Sequence, residues 1–272
     1  MIATILIDNN TKNELLPEWG LSAYIEHEGH KVLLDTGASE KFAANAKSLG
    51  LNLAEAECGV LSHAHYDHSD GMEAFFRENP TAPFYLRESA GENCYRKNTI
   101  LYHYIGIHKG YLKRYKDRII YVKGDREILP GITLVPHKTP NLEKIGKGAG
   151  MYVRRGLLWS PDAFAHEQSL VVDTKEGLVV FNSCSHGGAD HIIQEIQKTW
   201  PDKSIAALVG GLHLFRSSDE KVHALAERVK ATGIRKIYTG HCTGERAFGI
   251  LREELGDCIE PLYTGLEIRI GE

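Results

Sequence analysis

The sequence has little of what would mark a secreted, membrane-bound or disordered chain. No stretch approaches the ~18 consecutive apolar residues of a membrane span, and the opening Met-Ile-Ala-Thr-Ile-Leu-Ile-Asp is a short apolar run with no basic start. Its five cysteines, Cys58, Cys94, Cys184, Cys242 and Cys258, are too few and too scattered for a disulfide framework, and the odd count leaves at least one unpaired. Only 9 prolines occur in 272 residues, and no repeat, low-complexity tract or Pro/Gly/Ser-rich linker is present. Cationic excess is absent too: 32 Lys plus Arg against 36 Asp plus Glu give a net charge of −4, which leaves no field for non-specific nucleic-acid binding. These absences predict a cytoplasmic protein with neither nucleic acid nor membrane as partner.

What is present, 42% hydrophobic and 25% charged residues, is the composition of a folded globular chain, expected as one domain over 1–272. Short apolar runs at Ile2–Ile7, Leu21–Glu26, Lys31–Leu34 and Cys58–Leu61 predict strands in the first half. Ser169–Asp173, Leu178–Phe181, Ala206–Val209 and Lys236–Thr239 do so in the second. Helical spacing predicts helices at Glu40–Leu49 (capped by Ser39), Gly71–Glu78, Ala189–Thr199 and Asp219–Ala231. Strands joined partly by tight turns and partly through helices favour an α/β (α+β) arrangement of mixed sheets covered by helices.

Residues 95–121 stand apart, with six of the 12 tyrosines and seven basic residues against the single acid Asp117. They read as an insertion or lid that stacks a planar ligand on Tyr102 and Tyr104 and steers an anion, or as a solvated basic face packed on the core or on a second subunit of a homodimer.

Chemistry concentrates at His63-Ala-His65-Tyr-Asp67-His68, three imidazoles and a carboxylate within six residues directly after a predicted strand. Neutral imidazole nitrogen and carboxylate oxygen are ligands for first-row divalent ions, and this spacing sends side chains from one tight loop toward two adjacent metals. Together with Leu33-Leu34-Asp35-Thr36-Gly37 upstream, the motif resembles the metallo-β-lactamase superfamily. That resemblance implies an αββα sandwich with a two-metal site at one edge. It implies that His63 and His65 bind the first metal and that Asp67 and His68 bind the second, with Asp67 also taking part in catalysis. Asp35 would support the metal loop from behind, and His241, in Thr239-Gly240-His241, would be the last ligand of the second site.

In the middle of the chain the sequence departs from the common pattern. Strand Val179-Val180-Phe181 runs into Asn182-Ser183-Cys184-Ser185-His186-Gly187-Gly188, where a bridging aspartate is expected. Cys184 occupies that place, as a ligand, a gatekeeper behind the metals or merely a small buried residue, and His186 is then the candidate to complete the first site. These segments, with Gly210-Gly211-Leu212-His213-Leu214 and Thr239-Gly240-His241-Cys242-Thr243-Gly244, resemble the branch related to the archaeal dihydropterin-ribofuranosylaminobenzene phosphate synthase. Within that branch His213 is expected near the metals as a proton donor or phosphate contact, and Gly187 and Gly188 as backbone donors to an anion. His27, His30, His103, His108, His137, His166, His191 and His223 lie in no motif and are read as structural or surface residues.

The implied cofactors are two divalent ions, zinc first and manganese or iron as alternatives. The implied activity is hydrolysis of a small anionic or phosphorylated metabolite by metal-activated water. The alternative is a pterin-synthase-like transfer that joins a pterin to an aryl amine with loss of diphosphate. Redox relatives of this fold carry Glu where His65 stands and a flavodoxin domain, and the chain has neither.

Overall fold

The computed structural model describes residues 1–271, and its strands explain why so many runs are apolar on both faces. One seven-stranded sheet has the order Glu267–Arg269, Ile2–Ile7, Ser22–His27, His30–Leu34, Cys58–Val60, Phe84–Arg87, Ile119–Val122. The second has the order Ile259–Pro261, Ile237–Thr239, Ile205–Gly211, Gly177–Cys184, Gln168–Thr174, Ile132–Pro136, Arg126–Leu129. Both sheets are mixed: Ser22–His27 pairs antiparallel with His30–Leu34 through a tight turn, and Gly177–Cys184 pairs parallel with Ile205–Gly211 across an intervening helix.

Side chains of alternating parity fill two different cores. Val179 and Phe181 join Ile5, Ile25, Val32 and Val60 between the sheets, whereas Val180 points outward to Ile192, Ile196, Val222 and Leu251. Leu33 and Phe84 of the first sheet likewise pack outward on Phe42, Ala46 and Phe75. Helices Lys41–Ser48 and Met72–Glu78 therefore cover one outer face, and Ala189–Thr199, Asp219–Ala231 and Glu245–Leu255 cover the other. This is the expected αββα sandwich. Among the described residues no helix is long and apolar enough to cross a membrane.

Two local expectations change. Helix Lys41–Ser48 is preceded by Glu40 at its N-cap, while Ser39, one residue earlier, accepts from the Lys41 amide at 3.3 Å and donates its hydroxyl to Glu18. Residues 95–121 are not one inserted unit. Cys94–Asn98 and Leu101–Tyr104 form a separate four-stranded sheet with Met151–Arg155 and Leu158–Pro161, while Ile119–Val122 is the last strand of the first main sheet. Tyr115 packs on Phe76, with ring centroids 4.4 Å apart, and its hydroxyl bonds Glu73. Composition had grouped residues that backbone pairing separates.

The parallel strands Cys58–Val60, Gly177–Cys184, Ile205–Gly211 and Ile237–Thr239 all end at one edge of the sandwich, where loops carry the chemistry of an open α/β sheet. Gly210 makes one of these ends possible: its φ is +143°, and a Cβ there would lie 1.9 Å from the Asn182 carbonyl oxygen. Gly210→Ala is expected to cost about 2–4 kcal/mol. Gly249→Ala, in open space on helix Glu245–Leu255, should be neutral or stabilising by up to ~1 kcal/mol. Thermal melts of the two variants check this, and equal melting temperatures would contradict it.

Candidate metal centre

The loop after Cys58–Val60 and the end of Gly177–Cys184 bring His63, His65 and His186 together, with one ligating atom of each within 4.8 Å of the others. All three are at most 5% exposed, and Nε2 of each is buried without a hydrogen-bond partner. For two of the three, the opposite nitrogen accounts for this orientation. His186 Nδ1 donates to Glu167 Oε2 at 2.6 Å, and His63 Nδ1 donates to the Ser62 hydroxyl at 2.9 Å, which in turn donates to Asp35 Oδ2 at 2.7 Å. Burial first, then the charges of neighbouring imidazoles, hold His63 and His65 well below the ordinary histidine range. Both are neutral lone-pair donors near pH 7. Leaving such nitrogens unmatched costs about 1–3 kcal/mol each, and a divalent ion with nitrogen ligands matches all three at once.

A second cluster adjoins the first. His68 Nδ1 donates to Asp35 Oδ2 at 2.8 Å and His241 Nδ1 to Asn9 Oδ1 at 3.1 Å, and their Nε2 atoms meet 3.2 Å apart. Asp67 Oδ2 lies 3.5 Å from His241 Nε2 and 4.0 Å from His68 Nε2. Burial lowers the pKa of His68, but the Asp35 and Asp67 carboxylates outweigh it and leave the pKa raised, so this pocket attracts positive charge. A second divalent cation fits that donor set.

Cys184 sits between the clusters. Its Sγ is 3.5 Å from His68 Nε2 and 3.2 Å from Cys242 Sγ, and its ligating atom groups with those of His63 and His68, of His241 and Cys242, and of His186 and His213. Burial pushes the Cys184 thiol well above its usual range, whereas contacts with Cys184 and His213 outweigh burial at Cys242 and hold that thiol down. The sequence reading gave Cys242 no role. Its signal was only adjacency to His241.

Two histidines read as structural or surface belong here instead. His166 Nδ1 accepts from the Ala64 amide at 3.2 Å and its Nε2 donates to Asp162 at 2.9 Å, which fixes the backbone between His63 and His65. His137 Nε2 binds Glu167 at 2.6 Å, so Glu167 is clamped between His137 and the candidate ligand His186. Burial opposes ionisation of Glu167, but the two imidazoles outweigh it and hold the carboxyl well below the usual carboxylate range. No local spacing announces these contacts.

His213 adjoins the first cluster, with its ring centroid 4.5 Å from that of His186 and its Nδ1 buried without a partner. Burial and the His186 charge lower its pKa. It shares a cavity of about 630 Å³ with His186, Gly187, Gly188, Phe215, Arg96 and Arg216. Backbone strain collects at this edge: Asp35, Phe164, His213 and His241 are four of the seven non-glycine residues at positive φ among those described. Phe164 stacks on His186 at 4.5 Å.

Tyr102 and Tyr104, expected as substrate contacts, do not line this cavity. Tyr102 stacks on Trp159 at 3.8 Å, and Tyr104 packs edge-on against Tyr95 while its hydroxyl donates to the Ile107 carbonyl. Cross-strand aromatic pairing within the four-stranded sheet takes up both rings.

Comparison with known proteins agrees with the fold. The profile of the metallo-β-lactamase superfamily matches residues 20–241. The chain belongs to that superfamily. Within it, the chain is similar to the 7,8-dihydropterin-6-methyl-4-(β-D-ribofuranosyl)-aminobenzene-5'-phosphate synthase of Methanocaldococcus jannaschii, at 26% identity over 93% of this chain and 91% of the relative. Among solved structures it is similar to a metal-dependent hydrolase of the β-lactamase superfamily, at 30% identity with a TM-score of 0.85 and 100% of both chains covered. It shares the fold of YhfI from Bacillus subtilis, a metallo-β-lactamase fold protein, at 11% identity with a TM-score of 0.57 and 98% of each chain covered. Divalent metals are common in the superfamily, and the buried donor sets described above suit them.

Removing a donor and removing its support should separate. His65→Ala is expected to leave at least one metal ion fewer per chain by elemental analysis. Glu167→Gln should retain a site with affinity lowered about 10–100-fold in a chelator competition. Unchanged affinity in Glu167→Gln would exclude the Glu167–His186 contact from metal binding.

Proposed function

We propose that the chain is a cytoplasmic hydrolase that uses two divalent ions, zinc in the first instance, on a small anionic, phosphorylated metabolite. The observation carrying this reading is the adjacency of two buried donor clusters, the first of which reaches, through His186, a cavity whose lining includes Arg96, Lys144, Arg216 and Lys221. When bound, such ions polarise the scissile group and lower the pKa of water. His63, His65 and His186 would hold one ion, and Asp67, His68 and His241 the other. Asp35 and Glu167 orient these imidazoles through Nδ1. His213, kept neutral by its burial, takes a proton from the attacking water at Nδ1 and returns it to the oxygen that leaves. One bond forms from the water oxygen to phosphorus, and the bond from phosphorus to the departing oxygen breaks.

A second reading is favoured by the likeness to the methanogen synthase along nearly the whole chain and by Cys184 standing where a bridging carboxylate is expected. In that reading a pterin carbon loses diphosphate and bonds to an aryl amine, and water takes no part.

Turnover of a phosphoester panel in ¹⁸O-labelled water distinguishes the two. Hydrolysis places the label in the released phosphate, whereas transfer releases unlabelled diphosphate only when the aryl amine is present. His213→Ala should lower kcat by about 10²–10⁴ with the metal content unchanged. Parallel loss of metal would reassign His213 from proton transfer to binding the ions.

A further inference from the structure

The cavity above the first cluster carries cations that nothing in the protein matches. Arg96 comes from strand Cys94–Asn98 and Arg216 from the loop after Ile205–Gly211. Lys144 and Lys221 reach the same space from helices Leu142–Ala149 and Asp219–Ala231. The only carboxylate in the lining is Asp190, and it is already engaged by Arg228 at 2.7 Å. Among the described residues, neither Arg96 nor Arg216 has a carboxylate partner; Arg216 lies over the Phe215 ring at 5.3 Å.

These two guanidiniums come from elements far apart in the sequence to line one cavity. Partial burial first, and then the Arg216 charge, lower the pKa of Arg96. A fold that draws two like charges into one cavity with no acid paired to either leaves a place for an anion. The same lining includes Gly187 and Gly188, which lead into the amino end of the 11-residue helix Ala189–Thr199, whose first amides have no partner within the helix.

We propose that Arg96 and Arg216, together with this helix end, form a subsite for a phosphate monoester group of the substrate, separate from the bond that is cleaved or formed at the metal centre. The assignment rests on the reading of this cavity as the substrate's and extends it by naming the group that anchors the substrate. A dianionic phosphate matches two planar cationic forks in charge and in acceptor count, whereas one carboxylate is satisfied by a single fork. Ile145, Leu212 and Phe215 in the same lining give an apolar surface for the organic part of the molecule. The basic character of residues 95–121 thus has a specific use at Arg96.

The test is a calorimetric titration of the metal-loaded protein with phenyl phosphate, and with benzoate and phenol as comparisons. Arg96→Gln and Arg216→Gln are each expected to weaken phenyl phosphate binding at least tenfold while the metal content by elemental analysis stays at the parent value. Lys113→Gln, an exposed cation outside the cavity, should bind as the parent does. Undiminished binding in both arginine variants would place the phosphate on the metals and overturn the proposal. So would absence of binding to the parent, or benzoate binding as tightly as phenyl phosphate. Because the titration reads binding, a chain that turns over no phosphoester but shows the arginine-dependent affinity would refute the hydrolase reading alone. Turnover without that affinity would refute only the subsite.

Discussion

Five imidazoles buried within a few ångströms of one another, each with a ring nitrogen turned inward, are the constraint around which this chain is arranged. No protein group satisfies the inward nitrogens of His63, His65 and His186, and an apolar core of the same volume would be cheaper to build. The arrangement persists because four of the five outward nitrogens are tied to an oxygen: Ser62 for His63, Asp35 for His68, Glu167 for His186 and Asn9 for His241. Those oxygens are tied in turn. Asp35 also accepts from the Ser62 amide at 2.7 Å, and Glu167 is shared with His137. The inward orientation is thus decided one layer away from the centre.

The sandwich supplies the rigidity that such an arrangement needs. Each supporting residue lies at or just beyond the end of a strand whose neighbours are packed on both faces, so a loop of a few residues has little room to relax. Four strained residues at the same edge fit this picture: backbone that would move elsewhere is held at positive φ where Asp35, Phe164, His213 and His241 have to face inward.

How much of this was legible in the sequence follows from the range of each contact. The run from His63 to His68 announces itself because four donors leave one loop, and the strands alternate visibly because the sheets are covered on both sides. Resemblance to a known superfamily supplied His186 and His241. His166, Glu167, His137 and Cys242 stayed hidden because their meaning is a long-range contact: Cys184 and Cys242 lie 58 positions apart, and His166 holds an amide 102 positions away. The 95–121 segment misled for the opposite reason. Its composition is uniform, but Tyr102 turns to Trp159, Tyr115 to Phe76, and only Arg96 of its cations faces the cavity.

The donors are divided between the two halves of the chain. His63, His65, Asp67 and His68 follow strands of the first sheet, while Cys184, His186 and His241 follow strands of the second. Neither half holds either donor cluster complete. An ion bound there would meet its full complement only after the two sheets have docked, which would make its capture a late event in assembly and a report that the docking is correct. Once held, it would rivet the halves together across this edge of the sandwich.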